Sequence, residues 1–288
     1  DYQTSGSTSN IDQLVVDKKY SFFNPKAGLN YDINQKNKIY FSLSKAHREP
    51  TRSDFENNIN IQPEELIDYE LGWKYNAEKF FFNSNLYYMG YKNQLVLTGA
   101  LDDVGSPIRE NSGKSYRMGI ELESVYKATN KLNISANISL SENKNVDYKT
   151  NYNGVITDWG DTDISFSPNV ISSAGIQFIA SQDLTLTLLN KFVGNQYMSN
   201  TESNISKLSS YSTSDLNILY TIKNSAYFSE IIVTAMINNI FNKEYVSNGY
   251  YYTYDDTWSD PNSITTIEGT GYYPQAKRNF LLGLTFKL

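Results

Sequence analysis

The chain has 288 residues, no Cys, one His, 24 Tyr, 14 Phe and a formal net charge of -6. The missing Cys removes disulfide and thiol chemistry, and the acidic balance argues against a nucleic-acid binder. Hydrophobic residues make up 40%, the mean hydropathy is -0.49 and no apolar run is long enough for a membrane helix, while 14% aromatic content argues against disorder.

The chain opens DYQTSGSTSNIDQL, with no initiator Met, basic segment or apolar stretch, so a secretion signal is expected to lie upstream and the chain is read as a fragment. From there hydrophobic alternation of period two predicts about eleven strands. They fall near 22–33, 38–46, 66–76, 80–97, 114–127, 131–143, 164–180, 184–197, 211–222, 230–250 and 271–288. In SYRMGIELESVYK, Tyr116, Met118, Ile120, Leu122, Ser124 and Tyr126 share one charge-free face, with Arg117, Glu121 and Glu123 on the other. In KLNISANISLS the face Leu132, Ile134, Ala136, Ile138 and Leu140 alternates with Asn133, Ser135, Asn137 and Ser139. The terminal NFLLGLTFKL repeats the pattern with Phe280, Leu282, Leu284, Phe286 and Leu288.

The connections separate a membrane barrel from a soluble sandwich. Short links at 34–37, 76–79, 127–131, 180–183 and 223–229 alternate with long ones at 47–65, 98–113, 144–163, 198–210 and 251–270. Short turns at one end and long loops at the other are the outer-membrane barrel arrangement, with short periplasmic turns and long extracellular loops. Segments 80–97 and 164–180 exceed the roughly 9–11 residues a tilted membrane strand needs, and are expected to project above the bilayer. Tyr116 and Tyr126, with Tyr87, Tyr88, Tyr91 and Phe80 to Phe82, suit two interfacial aromatic girdles; the plainer reading is that Tyr is a good strand former. The last strand descends to place Leu288 on the periplasmic side, and about eleven strands cannot close an even-numbered barrel, so further strands are expected upstream.

The segments NPKAGLNYDINQKNKIYFSLSKAHREPTRSDF (24–55), LYYMGYKNQLVLTGALDDVGSPIRENSGKSYRMGIELE (86–123), DISFSPNV (163–170), INNIFNKEYVSNG (237–249) and YYPQAKRNFLLGLTFKL (272–288) carry a resemblance. The chain resembles, over its whole length, the carboxyl-terminal half of a TonB-dependent outer-membrane receptor. One departure is Leu288, where the family usually ends on an aromatic residue. The resemblance implies an all-β, antiparallel up-and-down transmembrane β-barrel of 22 strands, of which about eleven lie in a single domain over 1–288, without the amino-terminal plug. It implies a Gram-negative outer-membrane import receptor, energised by the TonB complex through the absent region. Its expected ligand is a ferric siderophore or related metal chelate, with cobalamin, haem or a glycan as alternatives. A passive porin or structural barrel and a soluble β protein are the competing classes.

Candidate ligand residues come from geometry: the long links hold His47, Arg48, Arg109, Trp159, Tyr250, Tyr251, Tyr252, Tyr254 and Trp258. Aromatic faces and scattered cations suit planar or catecholate ligands; the competing reading is loop packing or the upper girdle. Asp158, Asp161 and Asp163, and Asp255, Asp256 and Asp260, lack the spacing of a calcium loop and read as solvated acids. His47 alone cannot supply a credible hydrolytic triad, so no enzyme activity, resident metal or cofactor is expected, and the partners expected are outer-membrane lipid, the imported solute and the coupling complex.

Overall fold

The computed structural model describes residues 2–7, 13–101, 105–152, 155–223, 227–256, 258–259 and 265–288. A leading hairpin, β1 (Tyr2–Gly6) and β2 (Leu14–Lys18), precedes β3 (Lys26–Asn34), β4 (Asn37–Arg48), the short helix α1 (Arg52–Asn57), β5 (Glu64–Asn76) and β6 (Phe80–Lys92). Then come β7 (Leu95–Leu101), β8 (Pro107–Asn111), β9 (Lys114–Thr129), β10 (Leu132–Tyr152), β11 (Val155–Asp163), β12 (Val170–Ile179) and β13 (Leu184–Val193). The chain finishes with β14 (Gln196–Tyr197), β15 (Lys207–Leu208), β16 (Tyr211–Lys223), β17 (Glu230–Asn238), β18 (Val246–Asp256), β19 (Thr265–Pro274) and β20 (Asn279–Lys287).

Eleven of these form one antiparallel meander in the order β3-β4-β5-β6-β9-β10-β12-β13-β16-β17-β20, with β11 folded back on β10. They correspond one for one with the strands expected from the sequence. The sheet is open: among the described residues β3 pairs only with β4 and β20 only with β17.

Register makes the two faces explicit. One pleat row runs Phe41, Leu71, Leu86, Ile120, Leu140 across β4, β5, β6, β9 and β10. Leu71 is 49% and Leu86 50% exposed, so this row is part of an apolar surface left uncovered by the described residues. The opposite face carries Lys74, Asn83, Glu123, Asn137, Ser173 and Lys191 in one row. There Asn137 Nδ2 donates to Ser173 Oγ at 2.8 Å and Asn133 Nδ2 to Gln177 Oε1 at 3.1 Å. An apolar outside and a hydrated inside suit a barrel wall in lipid and would be an aggregation hazard in water.

Aromatic rings mark both edges of the apolar face. At the short-turn end Trp73 meets Phe82 at 5.5 Å, and Phe80 meets Tyr75 at 6.1 Å and Tyr126 at 6.4 Å. At the long-loop end Tyr88 lies 6.5 Å from Tyr69 and 6.2 Å from Tyr116. Phe81, Tyr87 and Tyr91, read from the sequence as girdle residues, alternate to the polar face because a strand turns successive side chains to opposite sides.

Six expected strands stop short of their predicted long-loop ends. A ladder ends where a residue leaves the extended region, and β6 ends at Asn93 with φ 55°, β17 at Asn239 with φ 51°. Phe166, with φ 54°, keeps the chain irregular ahead of β12, and residues 275–278 separate β19 from β20. The expected long links are themselves ordered: four contain β pairing (β7 with β8, β10 with β11, β14 with β15, β18 with β19), and 47–65 contains α1. One buried apolar cluster joins Leu14 and Val16 of the leading hairpin to Phe55 and Ile61 of the 47–65 link and to Leu95 of β7, and the other joins Met198 and Leu208 to Tyr251.

Candidate ligand surface on the long connections

The β18–β19 hairpin alternates along GYYYTY. Tyr250, Tyr252 and Tyr254 fall on one face, and Tyr251 on the other. Tyr250 is paired with Gly271 and Tyr252 with Gly269. A Cβ at either glycine would overlap the tyrosine ring opposite, so the glycines let both rings lie flat across the partner strand. The rings follow one another at 6.2 Å and 6.4 Å, and Tyr273 extends the row at 6.0 Å from Tyr250. Tyr252, Tyr254 and Tyr273 are 41%, 44% and 49% exposed. This is a flat aromatic strip open to solvent, suited to stacking on a planar or catecholate ligand.

The other face of the hairpin is a packing surface. Tyr251 is buried against Met198 and Leu208, and its hydroxyl donates to Glu268 Oε1 at 2.5 Å. Burial, reinforced by that carboxylate, pushes the phenol up to about 12. The same hairpin lies against β7, which belongs to a connection far along the sheet path, so the long links converge on one another.

Polar knots lock that convergence. Asp54, buried in α1, accepts from Thr51 N at 2.7 Å, Thr51 Oγ1 at 2.8 Å and Arg109 Nε at 2.9 Å, and Arg109 Nη2 also reaches Thr51 Oγ1 at 3.2 Å. Asn111 Nδ2 donates to the Gln62 and Asn93 carbonyls at 2.9 Å, joining α1's loop to β8. Asn200 is a hub: its Oδ1 accepts from Ser165 N at 2.9 Å and Asn145 Nδ2 at 3.2 Å, and its Nδ2 donates to Leu97 O at 2.7 Å. Tyr148 of β10 donates its hydroxyl to Glu110 of β8, and burial holds the Glu110 carboxyl above the usual carboxylate range.

The sequence-derived candidates fall on separate elements. His47 is stacked on Phe22 at 4.8 Å, with Nδ1 2.7 Å from Asn24 Oδ1 and Nε2 3.2 Å from Glu65 Oε2. Arg48 is exposed at the end of β4, opposite Glu64. Arg109 is engaged by Asp54 as above. Trp159 Nε1 donates to Thr150 Oγ1 at 2.9 Å and its ring is 44% exposed. Trp258 is 80% exposed beyond the tip of β18. Only Tyr250, Tyr252 and Tyr254 are brought into mutual ring contact. Tyr273 was not anticipated, although the alternation GTGYY opposite YYYTY carries the signal. Among the acids, Asp158 pairs with Lys149 at 2.8 Å, Asp161 accepts from Asp147 N at 3.0 Å and Asp163 pairs with Lys144 at 2.7 Å. Asp260 and the Asp255 side chain lie outside the described residues, and among those described no three potential metal ligands gather.

An antiparallel meander with an apolar belt, two aromatic edges, a polar opposite face and elaborate links at one end defines the wall of a transmembrane β-barrel. The family model described as TonB dependent receptor-like, beta-barrel, matches residues 1–240, and the chain belongs to that family. No curated protein sequence matches it. Among solved structures it is similar to the siderophore receptor PiuA from Acinetobacter baumannii, at 19% identity and TM-score 0.69, over 97% of this chain and 38% of that one. The copper transporter OprC gives 17% identity and TM-score 0.66 over 91% of this chain and 39% of that one. The ferric yersiniabactin uptake receptor FyuA from Yersinia pestis gives 17% and 0.64 over 98% and 40%. At these identities the likeness shows the fold, and the chain spans about two fifths of each of these receptors.

Proposed function

We propose that residues 1–288 are one wall and the outer cap of an outer-membrane, TonB-coupled import receptor whose solute is a metal chelate of the siderophore kind. The tyrosine row of half-buried Tyr250 and exposed Tyr252, Tyr254 and Tyr273, on a hairpin braced over the long links, carries the ligand part of this reading. Family membership supports the energy-coupled part, and iron- and copper-related names among the structural neighbours support a metal complex over a glycan. In this arrangement β20 descends from the elaborate end to the short-turn end, which puts Leu288 in the periplasm.

The test is binding of a ferric tris-catecholate and a ferric hydroxamate to the intact receptor, followed by fluorescence quenching. A stacked ring contributes about 0.5–1.5 kcal/mol, so Tyr250→Ala/Tyr252→Ala/Tyr254→Ala is expected to weaken the preferred chelate by at least about tenfold, with folding preserved. Unchanged affinity would remove the tyrosine row from the reading. Failure of either chelate to bind, together with steady ion conductance in planar bilayers, would favour a passive pore.

A further inference from the structure

We propose that the tyrosine row selects its metal chelate by charge: Asp256, at the outer end of the row, draws a cationic group such as a pendant ammonium onto the rings, and polyanionic complexes are turned away. Between Val246 and Pro274 the chain carries four acids, Asp255, Asp256, Asp260 and Glu268, and no Lys, Arg or His. Alternation puts Asp256 on the face of Tyr250, Tyr252 and Tyr254, opposite Thr265 at the tip of the ladder. Its carboxylate accepts from Ser259 Oγ at 2.5 Å, Trp258 N at 2.9 Å and Ser259 N at 3.1 Å. Those bonds hold the carboxyl below the usual carboxylate range, so a negative charge stands at the end of the row. Glu268 is on the other face, where it accepts the Tyr251 hydroxyl bond.

The basic residues that flank the hairpin in sequence lie at its other end. Lys243, Lys277 and Arg278 stand beyond the foot of the ladder, where Lys277 pairs with Glu244. Eight residues of strand, about 26 Å at roughly 3.3 Å each, separate Tyr254 from Val246 at that foot, several times the Debye length of about 8 Å. On the neighbouring links Lys207 sits over the Tyr197 ring at 5.6 Å, Arg109 is engaged by Asp54 at 2.9 Å and Lys144 by Asp163 at 2.7 Å. The rings reinforce the acid. An aromatic face is the negative part of the ring quadrupole and attracts a cation lying within about 6 Å of its centroid. Tyr252 and Tyr254, both exposed and 6.4 Å apart, offer two such faces next to Asp256. An anionic complex is repelled by the same field, and a ferric tris-catecholate carries three negative charges. Ring shape admits planar and catecholate ligands alike; the charge around the rings separates them.

This inference rests on the metal-chelate reading of the row, and the choice of probes separates the two. Ferric complexes of one linear trihydroxamate are titrated into the intact receptor and followed by fluorescence quenching: one ending in a primary amine and therefore cationic, one N-acetylated and neutral, and one N-succinylated and anionic. Metal centre and scaffold are the same in each, so only the charge of the tail varies. The cationic complex is expected to bind about tenfold more tightly than the anionic one, with the neutral complex between them. That margin should narrow as salt is raised. Asp256→Asn keeps an oxygen for the Trp258 and Ser259 N–H groups and is expected to cut the margin to about threefold, and Asp256→Lys to invert it. Equal or tighter binding of the succinylated complex or of a ferric tris-catecholate by the wild type, or a margin unchanged in both variants, would overturn charge selection and leave the chelate reading standing. No binding of any of these complexes would overturn the chelate reading itself, and this inference with it.

Discussion

Arg109→Ala is expected to release α1 from the rest of the cap, seen as faster hydrogen exchange across residues 51–61 and new protease cleavage there, with the sheet unaffected. Asp54 is 2% exposed and its carboxylate is shared between Arg109 and the start of α1. Removing one member of a buried pair leaves the other charge in a poorly solvated place, typically at a cost of about 3–5 kcal/mol. The Thr51 bonds remain and offset part of this, so about 3 kcal/mol of local stability is the expected loss. A six-residue helix has almost no stability of its own, so the loss opens the segment rather than merely weakening it. Phe55, fully buried beside Leu14, Val16, Ile61 and Leu95, would then be exposed intermittently. Arg109→Met combined with Asp54→Leu should restore most of the protection, since no charge is left stranded. Wild-type exchange in Arg109→Ala would show that the apolar cluster alone holds the helix.

Glu110→Gln is expected to tighten the cap at neutral pH and to remove much of its pH dependence. The Glu110 carboxyl is raised by burial, with the Tyr148 hydroxyl bond opposing the shift, so the folded protein keeps that proton to a higher pH than the unfolded chain does. The contribution of Glu110 is therefore full below the ordinary carboxylate range and declines as pH rises through the raised value. Tyr148, 2% exposed and itself raised by burial and by the nearby carboxylate, remains a donor throughout. Glutamine accepts the same hydroxyl bond without a charge to desolvate, a gain of about 1–2 kcal/mol near pH 7. Exchange protection in β8 and in the outer half of β10, measured from pH 4 to pH 8, should fall with pH in the wild type and change little in the variant. Parallel profiles in the two proteins would refute this account.

The sheet was legible because its physics is periodic. The apolar faces of 114–127, 131–143 and 271–288 appear as alternation in the sequence and as pleat rows in the structure. The strand ends were less legible, since a single left-handed residue such as Asn93 or Asn239 ends a ladder without disturbing the hydrophobic pattern. The cap was hardest to read. Asp54 with Arg109, Glu110 with Tyr148, and Asn200 with Leu97 are joined over sequence separations of 55, 38 and 103 residues, and no local pattern announces such pairs. His47 illustrates the same limit: a histidine between long-link residues looks available to a solute, yet alternation along β4 puts it with Lys45 on the lipid-side face, against Phe22. The tyrosine row lay between these extremes, because the YYYTY alternation was visible but the glycines that flatten two of its rings mattered only once strand register was known.

The bracing of the long links bears on timing. β7 touches the β18 hairpin, β8 is tied to β10 through Glu110 and Tyr148, and Asn200 links the 198–202 turn to β7 and β10. Links fastened in this way cannot flap one at a time. Under the function proposed above, a solute resting on the open tyrosine row would pass behind them only when several fastenings part together, a rare, concerted event.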